Sequence, residues 1–261
     1  MAFAELKDVR MHYELAGPDG APVLMFSNPL GTDLSVWDGQ AGEFAKEFRV
    51  LRYDKRGHGT SSAPPGPYTI EMLAGDAIAL LDLLKIDKVL FCGLSIGGQT
   101  GMWIGVNAPE RLNKLVLSNT GAKIGTEDGW NKRIDAVNKG GTKSMAEAIL
   151  ERWFTFEFRA SHAAEVTPVR EVLERTDTGG YVACCAAVRD FDYRDAVKAI
   201  RAPTLVISGT HDPGAPPQDG RYLCEYIPGS RYVELNASHI ANIEAREQFT
   251  AELGEFLGGV S

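Results

Sequence analysis

The sequence predicts an α/β fold: a mostly parallel sheet of about eight strands, an N-terminal antiparallel hairpin and a helical insertion late in the chain. Three observations predict it. Apolar runs such as Val23-Leu24-Met25-Phe26 and Val89-Leu90-Phe91-Cys92 are continuous rather than alternating, as in strands covered on both faces. Helix-period segments separate them, so strand and helix take turns. From about Thr120 to Asp190 strand signals stop, and helical periods carry Trp130, Trp153, Phe154, Phe156, Phe158 and Tyr181.

The elements follow in order. Phe3 to Leu15 alternates apolar and polar residues and closes at Gly17-Pro18-Asp19-Gly20, which reads as an edge hairpin. The Val23 strand ends in Ser27-Asn28-Pro29-Leu30-Gly31-Thr32, a helix is expected over 33–48, and a strand over 48–53 runs into Asp54-Lys55-Arg56-Gly57-His58-Gly59. Tyr68 to Ile86 carries Leu73, Ala77, Leu80, Leu81 and Leu84 on one helical face. A strand follows at Lys114–Asn119, and after the insertion come a helix over 192–200, a strand over 203–208, a helix to Tyr226 and a strand over 231–235. A final helix carries Ile243, Phe249, Leu253, Phe256 and Leu257. The expected division is a core of residues 1–122 and 191–261 with a helical cap of residues 123–190.

Composition narrows the function classes. The chain has 261 residues, enough for one sizeable core plus an insertion, and a formal net charge of −8, which argues against nucleic-acid or anionic-membrane partners. Four cysteines (Cys92, Cys184, Cys185 and Cys224) lack metal-ligand spacing and disulfide density, and this reads as a reducing cytoplasm. No basic leader precedes an apolar run, and no apolar stretch is long enough for a membrane span, so neither secretion nor spanning is expected. The sequence assigns no oligomeric state.

Chemistry concentrates at Gly93-Leu94-Ser95-Ile96-Gly97, a G-x-S-x-G turn between an apolar strand and a helix. The turn must be sharp enough to lift the serine hydroxyl clear of the sheet, which crowds the positions two before and two after it. The helix that follows starts with unpaired N–H groups, so the Ile96 amide faces charge developing beside Ser95. A serine needs a histidine to take its proton and a carboxylate to hold that histidine's tautomer. Asp212 and His239 each lie just past a predicted strand, in the order Ser, Asp, His. His58 and His211 are expected to be structural and His12 and His162 to lie on the surface. The position after the preceding strand holds Asn119 and no carboxylate, which leaves Asp212 nearly unopposed, and Asp54 and Arg56 are expected to pin their turn. The second oxyanion donor is expected from Leu30, because Pro29 has no N–H. The Asn28–Pro29 bond is left open as cis or trans.

With these residues in place, the chain resembles the α/β-hydrolases and, more closely, the 3-oxoadipate enol-lactonases of bacterial aromatic degradation. General parts are Tyr53-Asp54-Lys55-Arg56-Gly57-His58-Gly59, the serine turn, and the acid and base loops. More particular are Asn28-Pro29-Leu30-Gly31-Thr32-Asp33 with Trp37-Asp38, Pro65-Gly66-Pro67-Tyr68, Ala108-Pro109-Glu110-Arg111, Glu151-Arg152-Trp153-Phe154 and Gly180-Tyr181-Val182-Ala183-Cys184-Cys185. Pro29 stands where the resemblance leads one to expect serine in several relatives. The resemblance implies a serine hydrolase that opens a small anionic lactone through an acyl-enzyme on Ser95, with no metal or organic cofactor. Alternatives are another carboxylesterase or carbon–carbon bond hydrolase of the same fold, and a ligand-sensing protein that keeps the triad.

An anionic substrate of an acidic protein needs a local cation, and the arginine fork matches a carboxylate. If Glu127 to Lys139 is a helix, Ile134 and Val137 fall within about 40° of Trp130, and Arg133 borders that face at about 60°. Arg133 is therefore the expected carboxylate ligand, with Trp130 and Trp153 walling the pocket and Arg152 as the second candidate.

Overall fold

The structure, a computed structural model, describes residues 2–258. Strands β1 (Ala2–Glu5) and β2 (Arg10–Ala16) form the antiparallel hairpin. Then come β3 (Val23–Ser27), α1 (Asp38–Phe44), β4 (Arg49–Tyr53), α2 (Ile70–Leu83), β5 (Val89–Leu94), α3 (Ile96–Asn107) and β6 (Leu112–Ser118). The insertion comprises α4 (Glu127–Gly140), α5 (Ala146–Trp153), α6 (Phe156–Ser161), α7 (Ala163–Arg175) and α8 (Thr178–Asp190). Alternation resumes with β7 (Thr204–Gly209), α9 (Pro217–Tyr226), β8 (Arg231–Leu235), α10 (Ala241–Glu244) and α11 (Arg246–Leu257).

The eight strands lie in the order β1-β2-β4-β3-β5-β6-β7-β8, and every pairing from β4 to β8 is parallel. All six residues of β5 and all six of β7 are buried, as expected of strands covered on both faces. By contrast β8, at the edge, buries only Leu235 fully. Because the central strands are parallel, the loops after β3, β5, β6, β7 and β8 leave the sheet at one edge, where open α/β sheets place their sites.

Three expectations need correction. No α-helix fills 192–200; a short 3-10 turn over Ala196–Ala199 does, since Ile200 at its end is extended ahead of β7. The last helix is two, because Ala245 adopts φ −115°, ψ 44° between α10 and α11. His12 is buried rather than on the surface, with Nδ1 2.8 Å from Asp54 Oδ2. A polar residue on an inner strand position is tolerated there because that carboxylate reaches it.

The Asn28–Pro29 bond is trans; among the described residues only Gly66–Pro67 is cis. No helix among them is long and apolar enough to cross a membrane.

The loop after β4 is locked to α2 by a buried bidentate pair, in which Arg56 Nε and Nη2 each donate to Asp76 at 2.6 Å. Removing one partner strands a buried charge, so Asp76→Ala should lower the unfolding free energy by about 3–5 kcal/mol in urea titration. A loss below about 1 kcal/mol would show that water reaches Arg56.

Candidate active site

Ser95 sits between β5 and α3 at φ 59°, ψ −120°, a left-handed conformation costly for a residue with a side chain. The surroundings enforce it. Ser95 N–H donates to Ser118 O (2.9 Å), and Ser95 O accepts from the Thr120 hydroxyl (2.7 Å) and Gln99 N–H (3.0 Å). The turn closes so tightly that a Cβ on Gly93 would lie 2.2 Å from Gly97 O, and one on Gly97 2.1 Å from Ser27 O. Only glycine fits either place.

Asp212, in the loop after β7, is buried and accepts four hydrogen bonds. Oδ1 takes Gly214 N–H (2.7 Å) and Ala215 N–H (3.0 Å); Oδ2 takes Asn119 Nδ2 (3.1 Å) and His239 Nδ1 (2.7 Å). Burial alone would raise its pKa. The nearby His239, its hydrogen bond and those from Ala215 and Asn119 outweigh burial and hold the carboxyl below its ordinary value. An ionised carboxylate only accepts, so His239 carries a proton on Nδ1 and turns Nε2 away from Asp212. Asn119, at φ 45°, also donates to Ser238 O (3.1 Å), tying the acid to the loop that carries His239.

Leu30 belongs to a loop held from beneath. Pro29 O accepts from Lys55 Nζ (3.0 Å) and the Thr32 hydroxyl (3.1 Å), while Gly31 N–H donates to His58 Nε2 (2.9 Å). Burial brings the Lys55 pKa down to about 8, against the pull of Cys184, Asp54 and Asp33. Burial, with the Lys55 charge, keeps His58 well below its ordinary value, so His58 is neutral and Nε2 can accept. The Ile96 amide opens α3 and therefore has no intrahelical acceptor.

Ser95, His239 and Leu30 line a cavity of about 290 Å³ whose other wall comes from α4, α5 and α8: Trp130, Arg133, Arg152, Trp153 and Tyr181. Every expected pocket residue therefore reaches one cavity. Ile96 is fully buried and does not line it, and Asp212 lies behind His239. The α4 phase is as expected, with Val137 buried and Lys132 and Lys139 exposed. Among the described residues no cluster of His, Cys, Asp or Glu could hold a metal ion. Another cavity, of about 270 Å³, lies between residues 32–40 and α7 and contains neither Ser95 nor His239.

The model of a family described as the alpha/beta hydrolase fold matches residues 22–246. The chain belongs to that family. It is 42% identical to 3-oxoadipate enol-lactonase 2 of Acinetobacter baylyi, over 93% of this chain and 91% of the relative. It is 35% identical to 3-oxoadipate enol-lactonase 1 of the same organism, over 95% and 92%. The crystal structure of the enol-lactonase from Burkholderia xenovorans LB400 superposes with a TM-score of 0.97 at 44% identity, covering 98% of this chain and all of that one. The expected resemblance to the enol-lactonases holds.

Within this α/β-hydrolase, contacts that sequence reasoning missed join the His239 loop to the helical insertion. Ile240 N–H donates to Trp153 O (3.0 Å), and the Ser238 hydroxyl to Arg152 O (2.8 Å). Glu244 bridges the two: Oε2 accepts Ser238 N–H (2.8 Å), and Oε1 accepts Thr155 N–H (3.1 Å) and the Thr155 hydroxyl. No periodicity marks Glu244, because Thr155 lies 89 positions away and Ser238 six, across a turn with no helical or strand repeat. A glutamine offers one acceptor oxygen where two are used, so Glu244→Gln should lower kcat on any ester about tenfold, equivalent to losing one charge-assisted hydrogen bond. Steady-state kinetics checks this, and an unchanged kcat would mean that the base loop holds itself.

Proposed function

We propose that the chain hydrolyses 3-oxoadipate enol-lactone to 3-oxoadipate through an acyl-enzyme on Ser95. The observation that carries this reading is the two-sided cavity: a strained serine with a carboxylate-oriented histidine on one wall, arginines on the other. A small molecule with an ester carbonyl at one end and a carboxylate at the other matches both walls at once. The 42% identity to an Acinetobacter enol-lactonase supports the same substrate.

Ser95 Oγ attacks the lactone carbonyl while His239 Nε2 takes its proton, and Asp212 stabilises the imidazolium. The amides of Leu30 and Ile96 donate to the tetrahedral oxyanion, with Lys55 and His58 fixing the Leu30 loop as positioning residues. Collapse breaks the ring C–O bond, and the enolate, protonated from His239, becomes the ketone. It stays tethered through the acyl chain, so this ketonisation opposes ring closure. Water, deprotonated by His239, then attacks the ester and releases Ser95. Arg133 holds the substrate carboxylate between Trp130 and Trp153, and residues 123–190 act as the cap that carries this specificity. A cytoplasmic location is consistent with the four free cysteines.

An ultraviolet assay should show rapid loss of enzymatically generated enol-lactone, at a kcat/KM well above that for p-nitrophenyl acetate. Ser95→Ala should abolish turnover, and Asp212→Asn should lose on the order of 10⁴ in kcat through the wrong histidine tautomer. Slow lactone turnover beside fast turnover of the neutral ester would overturn the substrate.

A further inference from the structure

The arginines of the helical insertion divide into two groups. Four are paired with carboxylates: Arg159 and Arg170 with Glu147, Arg175 with Asp33, and Arg189 with Asp190. The other two, Arg133 and Arg152, have no carboxylate within ion-pair distance among the described residues, and they are the two that line the cavity. Arg133 lies over the Trp130 ring, 4.9 Å from its centroid, on the same wall as Tyr181. Arg152 keeps solvent access, yet partial burial and the charge of Arg133 depress its pKa, with Asp212 and Tyr181 opposing. Asp212 is the nearby anion, and its oxygens are already taken by His239, Asn119 and two amides. Two cations on one wall, Arg133 also hydrogen-bonded to Tyr181, are thus left for a ligand without a carboxylate partner.

The two differ in their neighbours. A Cβ built on Gly214 would lie 3.8 Å from Arg152 Nη2 and 3.7 Å from His239 Nδ1, so Arg152 stands at the His239 end. Arg133 projects from α4, beside Trp130. The lactone carries one carboxylate, but its hydrolysis makes a second at the carbon that Ser95 attacked. The product is a dianion whose charges sit at opposite ends of a six-carbon chain.

We infer that the cavity is a dianion site, in which Arg133 takes the free-end carboxylate and Arg152 the carboxylate generated at Ser95. Linear dicarboxylates of product length then bind competitively and more tightly than monocarboxylates, and the enzyme is held back by its own product. The product's identity rests on the proposed function; the two unpaired guanidinium groups do not.

The test uses the full chain and a neutral reporter. Adipate, hexanoate and monoethyl adipate are compared as competitive inhibitors of p-nitrophenyl acetate hydrolysis. Adipate should have an inhibition constant at least about tenfold lower than either monoanion, the scale of one charge-assisted contact. Arg152→Gln should erase most of that difference, and because the comparison is made within each variant, altered turnover does not enter. Should that variant not fold, protection from phenylglyoxal answers the same question: adipate, and not hexanoate, should shield the Arg152 peptide of the wild-type protein. Equal inhibition by adipate and hexanoate, a full difference surviving in Arg152→Gln, or no protection of Arg152 would each overturn the inference. Adipate selectivity without lactone turnover would sink the proposed substrate alone, and lactone turnover without adipate selectivity would sink the dianion site alone.

Discussion

Ser95 is held at φ 59° by a turn that has no slack, and the rest of the site is arranged around that point. The conformation costs on the order of 1–3 kcal/mol, and it persists because β5 and α3 are both packed and the chain between them has no other route. Gly93 and Gly97 permit the close approach, while Ser118 and Thr120, from the end of β6, fix the backbone on either side of the serine. Strain in the backbone thereby becomes exposure of one hydroxyl at the sheet edge and one helix amide beside it.

Parallel topology then solves a problem of distance in sequence. Residues 95, 119, 212 and 239 meet because β5, β6, β7 and β8 are consecutive neighbours that end on the same side. Asn119 and Glu244 extend the assembly outward, one clamping the acid to the base loop and the other clamping the base loop to the wall that carries Arg152 and Trp153. The Ser95 side of the cavity and the wall that carries Arg152 are therefore not independent bodies. A shift of α5 relative to the sheet would strain the backbone on both sides of His239.

Much of this was legible from residues alone, because the signals were either periodic or steric. Continuous apolar runs marked the buried strands, the two glycines marked the serine turn, and the phase of Trp130, Arg133 and Val137 marked the inward face of α4. What stayed hidden was held by long-range polar contacts, which leave no period. Lys55 and His58 looked like members of a glycine-rich turn, and nothing local says that one supports Pro29 and the other Gly31. Asn119 was visible as the place where no carboxylate stood, but its role lies in reaching Asp212, 93 positions on. His12 departs from the surface position expected of it because strand alternation says which residues share a face, not which face finds a buried partner such as Asp54. The break at Ala245 likewise has no proline or glycine to announce it.

The claim on which all of this rests is that a single serine, lifted by a strained turn and served by His239, is the nucleophile. A fluorophosphonate probe followed by peptide mass spectrometry tests it most directly, because the reagent needs both an activated hydroxyl and an oxyanion hole. The account predicts one adduct per chain, on the peptide containing Ser95, with labelling slowed by orders of magnitude in His239→Ala. Labelling of a different residue, or undiminished labelling without His239, would contradict it.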